Sequence, residues 1–224
     1  MHSHLLQSAL VVVLLCCAVV TAPVLAQEAQ AAVDEPIRIT QSLSVGSATW
    51  VSLELSVGDL KVQASDGSDF EADLEIECTP ASIDCKKLAK DLKIDSRRRG
   101  NRLEVKLKGP SRALSGTIRL KGTVLAPRNL PLSIDLGVGD LQVSGFTHDL
   151  RLEVGVGNIQ ARFPESAVRV VEMDTNVGEA VLELPAGRME GAGFVGKAVK
   201  WTSGRGSSAI ELDVNVGNIE LVLY

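Results

Sequence analysis

With 224 residues, 45% of them hydrophobic but only 3% aromatic, the chain is long enough for one domain, and its core must be filled by aliphatic side chains. The formal net charge of −5 averages two unlike parts: Lys86 to Arg128 holds 14 Lys or Arg against three acids, a net of +11, which leaves −16 elsewhere. Four cysteines and three histidines, most of them near the N-terminus, exclude a zinc site built on several Cys and His ligands.

Residues 1–26 contain no Asp, Glu, Lys or Arg. Their centre, "ALVVVLLCCAVV", is too short to span a bilayer comfortably, and "TAPVLAQ" follows with Val24 and Ala26 ahead of Gln27. That pattern predicts a cleaved secretory signal over 1–26, with His2 and His4 where Lys or Arg is usual. A lipid anchor on Cys16 or Cys17 is the alternative; Leu15 or Cys16, standing before the cysteine where a small residue is expected, opposes it. Residues 27–36 read as a flexible N-terminal segment and 37–224 as a single domain. The mature chain is expected to have no transmembrane span, to be exported to the periplasm or surface of a bacterium, and to meet no nucleic acid in the cell.

The first element of the domain is "LSVGDLKVQA", which returns as "LGVGDLQVSG" and "VNVGNIELVL". Aligning the glycines gives Gly58, Gly139, Gly157, Gly178 and Gly217, followed by Asp59, Asp140, Asn158, Glu179 and Asn218. After Gly139 the steps are 18, 21 and 39 residues, and the 39 divides if "VGKAV" at Val195–Val199 is a worn copy. On each side apolar residues alternate, so the copies read as two strands meeting at a corner. Gly supplies the backbone conformation and Asp or Asn the local hydrogen bond. The spacing of Val138 and Leu141 predicts that both lie on one buried face, and the same phase holds for Val57/Leu60, Val156/Ile159, Val177/Ala180 and Val216/Ile219. A period near 20 predicts a β-solenoid; an antiparallel β-sandwich with two-residue hairpin turns is the alternative.

Residues 78–128 depart from this rhythm and read as an irregular, helix-containing insertion. "DFEADLEIEC" leads into it as a strand, with Phe70, Ala72, Leu74 and Ile76 on one side and Glu71, Asp73, Glu75 and Glu77 on the other. Cys78 and Cys85, seven positions apart in an exported chain, are expected to form a disulfide that pins a loop. "DCKKLAKDLKI" places Leu88 and Leu92 on one face of a short helix. "SRRRGNR" clusters Arg97, Arg98, Arg99 and Arg102; exposed, they would grip an anionic envelope polymer, and the alternative is that the acidic side of Glu71–Glu77 pairs with Arg102, Lys106 and Lys108. "NRLEVKLKG" and "GTIRLKGTVLAP" read as two further strands.

The order of these features resembles the bacterial putative-adhesin domain family, relatives of the head domains of auto-transporter adhesins. The resemblance is carried by "LELSVGDLKVQASDG", by "ASIDCKKLAKDLKIDSRRRGNRLEVKLKG" and by "LPLSIDLGVGDLQVSG", and it covers about residues 37–224. It implies a right-handed single-stranded β-helix in the bacterial envelope and supplies no catalytic residues.

No catalytic, cofactor or metal site is expected. The corner acids answer to turn chemistry rather than to a calcium row, since the Gly-Gly-x-Gly-x-Asp repeat is absent. His148 reads as a loop residue, no Gly-x-Ser-x-Gly elbow occurs, and Trp50 and Trp201 read as core covers rather than sugar platforms. The last strand, "NIELVLY", with Ile219, Leu221 and Leu223 inward and Val222 and Tyr224 outward, is expected to end the stack as an open β-edge, available to a second copy or an envelope protein. The sequence therefore predicts a non-enzymatic binding or scaffolding protein. An envelope-stress sensor domain and a carbohydrate-active enzyme are its rivals.

Overall fold

A computed structural model describes residues 36–78, 83–108, 118–203 and 205–224, with the backbone alone over 83–86. The leader read at 1–26 and nearly all of 27–36 lie outside the described residues. The chain is mostly β. Its elements are β1 (Ile37–Ser44), β2 (Trp50–Val57), β3 (Asp59–Ser65), β4 (Asp69–Cys78), α1 (Ile83–Lys90), β5 (Lys93–Arg99), β6 (Arg102–Lys108), β7 (Ile118–Pro127), β8 (Leu132–Val138) and β9 (Leu141–Ser144). They continue with β10 (Leu150–Val156), β11 (Ile159–Phe163), a 3-10 turn (Glu165–Ala167), β12 (Val168–Val177), β13 (Ala180–Leu184), β14 (Gly187–Glu190), β15 (Lys197–Thr202), β16 (Ser208–Val216) and β17 (Ile219–Leu223).

Two mixed sheets hold these strands. Sheet A runs β1-β4-β7-β3-β9-β11-β17-β13-β14, and sheet B runs β15-β12-β16-β10-β8-β2-β6-β5. Their inward rows form one hydrophobic core. Each strand alternates, as in β8, where Leu132, Ile134 and Leu136 are buried and Asp135 is exposed. Truncating a fully buried member such as Leu152 to Ala is expected to cost about 2–5 kcal/mol.

All five Val-Gly corners join a strand of sheet B to a strand of sheet A: β2 to β3, β8 to β9, β10 to β11, β12 to β13 and β16 to β17. These units stack in parallel and in register. Two mixed sheets over one core are compatible with a sandwich, but the strands flanking the corners pair parallel, which the antiparallel alternative does not give. Nor is the stack wound in chain order, as successive solenoid coils would be. The last unit, β16–β17, lies between β10–β11 and β12–β13.

That insertion overturns two expectations. "VGKAV" is no corner: Gly196 sits in a bend before β15, which returns antiparallel along β12. The interval of 39 residues is instead occupied by the hairpin strand β14 and by β15 at the rims of the sheets. Nor is the C-terminal strand an open edge. β17 pairs with β11 on one side and β13 on the other, so self-association through Ile219–Tyr224 has no free backbone to use, although Ile219, Leu221 and Leu223 do point inward.

A third correction concerns the corner valines. Val138, Val156, Val177 and Val216 are 46–51% exposed, and Val57 is half-buried. The chain leaves sheet B at this position, so the alternation that buries Leu136 and Val154 carries the next apolar residue past the rim of the core.

Segment 78–128 is less irregular than its sequence suggests. The two strands expected there form as β6 and β7, which add a further level to the stack, β6 parallel to β2 and β7 parallel to β3. The short helix ends at Lys90, so Leu88, half-buried, lies in it, whereas Leu92, expected on the same helical face, is buried just beyond its end.

Candidate functional site

The corners are tied to one another by side chains. The Asp140 backbone N–H donates to Asp59 Oδ1 at 3.2 Å, Asn158 N–H to Asp140 Oδ1 at 3.0 Å, Asn218 N–H to Asn158 Oδ1 at 3.1 Å, and Glu179 N–H to Asn218 Oδ1 at 3.0 Å. Backbone bonds run alongside, with Gly139 N–H donating to Val156 O and Leu141 N–H to Asn158 O. A short side-chain acceptor is therefore needed at every level that has a neighbour beyond it. Glu179 ends the ladder and needs none. Glycine is needed for the same close approach: a Cβ on Gly157 would lie 1.9 Å from the carbonyl oxygen of Gly139, at φ +143°. The corner residues Gly58, Asp59, Gly139, Asp140, Gly157, Asn158, Gly178, Gly217 and Asn218 all serve this stacking.

The outward face of sheet B carries a feature that sequence reading missed. Asp174, Asp213, Glu153, Asp135 and Glu54 are successive cross-strand partners on β12, β16, β10, β8 and β2. Five carboxylates thus stand in one row, about 4.8 Å apart from strand to strand. The signal was present: each lies three residues before a corner valine, in "ELSV", "DLGV", "EVGV", "DTNV" and "DVNV". Lys106 pairs with Glu54, and Arg151 bridges Glu153 (2.6 Å) and Glu211 (3.2 Å). Asp135, Asp174 and Asp213 make no ion pair among the described residues. Desolvation first, and then Glu153 and Glu54, raise the carboxyl of Asp135 above the ordinary range. Desolvation, Glu211 and Asp174 do the same to Asp213. Beside the row lies a groove of about 440 Å³ with Gly137 and Gly155 among its lining residues. Among the described residues no group of His, Cys, Asp or Glu is arranged to hold a metal ion.

The basic block occupies the other end of the same sheet. Arg97, Arg98 and Arg99 lie on the edge strand β5, opposite Glu104, Leu103 and Arg102 of β6. Three of the four arginines are engaged internally. Arg98 donates to Val45 O at 2.8 Å and Ser47 Oγ at 3.1 Å, Arg99 pairs with Glu104 at 3.4 Å, and Arg102 sits 5.2 Å above the Trp50 ring. Arg97 and Lys93, on the outward side of β5, make no ion pair among the described residues. Lys108 pairs with Asp95, whose carboxyl is held below the ordinary range chiefly by that hydrogen bond.

The expected pairing of Glu71–Glu77 with β6 does not occur, because β4 and β6 lie in different sheets. The acidic side of β4 instead meets its own neighbours, with Arg38 to Glu75 at 3.2 Å and Lys121 to Glu77 at 2.8 Å. Next to them Arg119 holds Asp59 at 2.8 Å. Arg38, Lys121, Asp59, Glu75 and Glu77 help line a groove of about 680 Å³ on sheet A, whose three cations and five acids leave it acidic.

His148 is exposed in a loop whose Asp149 accepts Ala209 N–H at 2.8 Å. Trp201 packs against the core, and Trp50 is covered by Arg102, with its Nε1 buried and unpaired among the described residues. Cys78 ends β4, packed against the core. The Cys85 side chain lies outside the described residues, and the Cys78–Cys85 bond remains an expectation.

No family model matches the chain, and no curated protein matches it. Among solved structures it is similar to a "putative cell adhesion protein" from Clostridium sporogenes, 16% identical over 84% of this chain and 100% of that one, with a TM-score of 0.54. A "putative lipid binding protein" from Parabacteroides distasonis is 14% identical over 82% of this chain and 61% of its own, with a TM-score of 0.33. A "putative adhesin" from Bacteroides fragilis is 12% identical over 83% and 97%, with a TM-score of 0.31. The likeness to the Clostridium protein is one of fold.

Proposed function

We propose that this chain is an exported, non-enzymatic protein of the bacterial envelope whose solenoid-like stack presents a basic flank to an anionic polymer. The observation that carries the reading is the position of Arg97 and Lys93. Both point outward on an edge strand, beside Lys108 and Arg99, with no internal ion pair among the described residues. The apolar leader supports export, and the name of the Clostridium sporogenes neighbour, a cell adhesion protein, supports a binding role. A Cys78–Cys85 disulfide would suit the same oxidising compartment.

The experiment is retention of the protein on immobilised lipopolysaccharide and teichoic acid, compared with a Lys93→Gln/Arg97→Gln variant. Retention that falls with salt and is lost in the variant supports the flank as the site. Equal retention of the two proteins removes it.

The row of carboxylates favours a second reading, a polysaccharide-cleaving enzyme, because such enzymes use paired acids about 5 Å apart. Neither tryptophan stands beside that row as a sugar platform. Cleavage of envelope polysaccharides by the protein, abolished in Glu153→Gln/Asp213→Asn, would establish the enzyme.

A further inference from the structure

Among the described residues, the exposed large hydrophobics include a line of corner valines. Val138, Val156, Val216 and Val177 are cross-strand neighbours, each about half exposed. Val195 and Phe194, in the bend before β15, are 64% and 102% exposed. From Val138 to Val177 the line crosses three strand intervals, about 14 Å. A contiguous apolar strip of this kind on a soluble protein is often a functional surface.

Its flanks state what would cover it. Three residues before the valines runs the carboxylate row, of which Asp135, Asp174 and Asp213 are unpaired among the described residues. Two residues after them come Asp140, Asn158, Asn218 and Glu179, with acids at the two ends and amides between. The strip is thus apolar along its middle, acidic along one side and acidic only at the ends of the other. The spacing also selects a conformation. Neighbouring acids are about 4.8 Å apart along the line, and three residues of an α-helix rise about 4.5 Å, whereas alternate residues of an extended chain rise about 6.6 Å. Basic residues spaced three and four apart along one helix face advance about 4.5–6 Å a step and so stay beside the acids. A helix of about 10 residues matches the length, and its diameter of about 10–12 Å lets basic side chains reach both flanks.

We infer that the valine line is a docking surface for a cationic amphipathic helix of a partner protein, laid across the strands with its apolar face on Val138, Val156, Val216 and Val177. This site is separate from the basic flank, which takes the opposite charge, and either can fail without the other.

The test titrates the protein with a designed helix of about 18 residues, Leu on one face and Lys on the other. A Leu/Glu helix of the same pattern and a Lys peptide without amphipathic order serve as controls. The Leu/Lys helix should bind saturably, and Val156→Ser/Val216→Ser should weaken it by about tenfold or more. Glu153→Gln/Asp213→Asn should weaken it less but flatten its salt dependence. Both sites are on the surface; an unchanged melting temperature for the valine variant, and one no lower than wild type for the carboxylate variant, would confirm intact folds. Equal binding of the Leu/Glu helix, or wild-type affinity in the valine variant, would overturn the inference. So would concentration-dependent dimerisation, or binding to neutral phosphatidylcholine vesicles, that the valine variant abolishes, since a second copy or a membrane would then be the occupant.

Discussion

Asn158 donates twice to one oxygen of Asp140: its backbone N–H lies 3.0 Å and its Nδ2 2.8 Å from Asp140 Oδ1. The same side chain then accepts the N–H of Asn218 through its own Oδ1. Asn158 is therefore a link in two directions. Asn158→Ala should cost about 1–2 kcal/mol, as loss of two or three solvent-accessible hydrogen bonds does. Glu179→Ala, at the end of the ladder, should cost nothing measurable. Thermal unfolding separates them by about 2–4 °C per kcal/mol for a chain of this size.

Glycine at the inner corners is required by contact as well as by torsion. A Cβ on Gly217 would lie 1.7 Å from Gly157 O, whereas one on Gly187, also at positive φ, meets nothing within 4 Å. Gly217→Ala is expected to cost more than about 4 kcal/mol or to prevent folding, and Gly187→Ala only the torsional part, about 1–3 kcal/mol. Denaturant midpoints of the two variants check the difference.

Acidification should act on the carboxylate row with a definite sign. Asp135 and Asp213 have folded values raised above their unfolded ones, so their stabilising contribution is full below the unfolded value and is lost as pH rises through the folded one. Asp95 has the opposite sign: its contribution is present at neutral pH and is lost as pH falls through its lowered value. Asp135→Asn/Asp213→Asn should therefore raise the melting temperature at pH 7, and the gain over wild type should shrink as the pH is taken down towards 4. A gain that grows on acidification would contradict the assignment.

The arginine block should divide in two. Arg98→Ala removes the hold on Val45 O and Ser47 Oγ and should destabilise by about 1–3 kcal/mol. Arg97→Ala touches no internal partner and should leave stability within about 0.5 kcal/mol. Chemical denaturation of the two single variants decides it, and shows why replacing all four arginines together would confuse binding with folding.

How much of this was legible follows from what each signal encodes. The corners were readable because Val-Gly followed by Asp, Asn or Glu is a local requirement, met within a few residues. Their order was not. Asn158 and Asn218 offer the same acceptor to whichever level lies above, so nothing in the sequence says that β16–β17 enters between β10–β11 and β12–β13. The solvent exposure of Val138 was misread because period-two alternation holds only while a strand remains over the core. Arg98 and Arg102 read as free cations because their partners, Val45 and Trp50, lie about fifty residues away in the chain. The carboxylate row was legible and overlooked: an acid three residues before every corner valine, five times in one chain, needs only the corner alignment to be seen.

The most direct test of the binding account is the salt dependence of affinity for a purified anionic envelope polymer, measured for the wild type and for Lys93→Gln/Arg97→Gln. The account predicts that the logarithm of affinity falls linearly with the logarithm of salt concentration. It also predicts that the variant binds more weakly, with a slope shallower by roughly one for each cation removed. Identical slopes and affinities for the two proteins would contradict it, and the basic flank would then be part of the sheet's own charge balance.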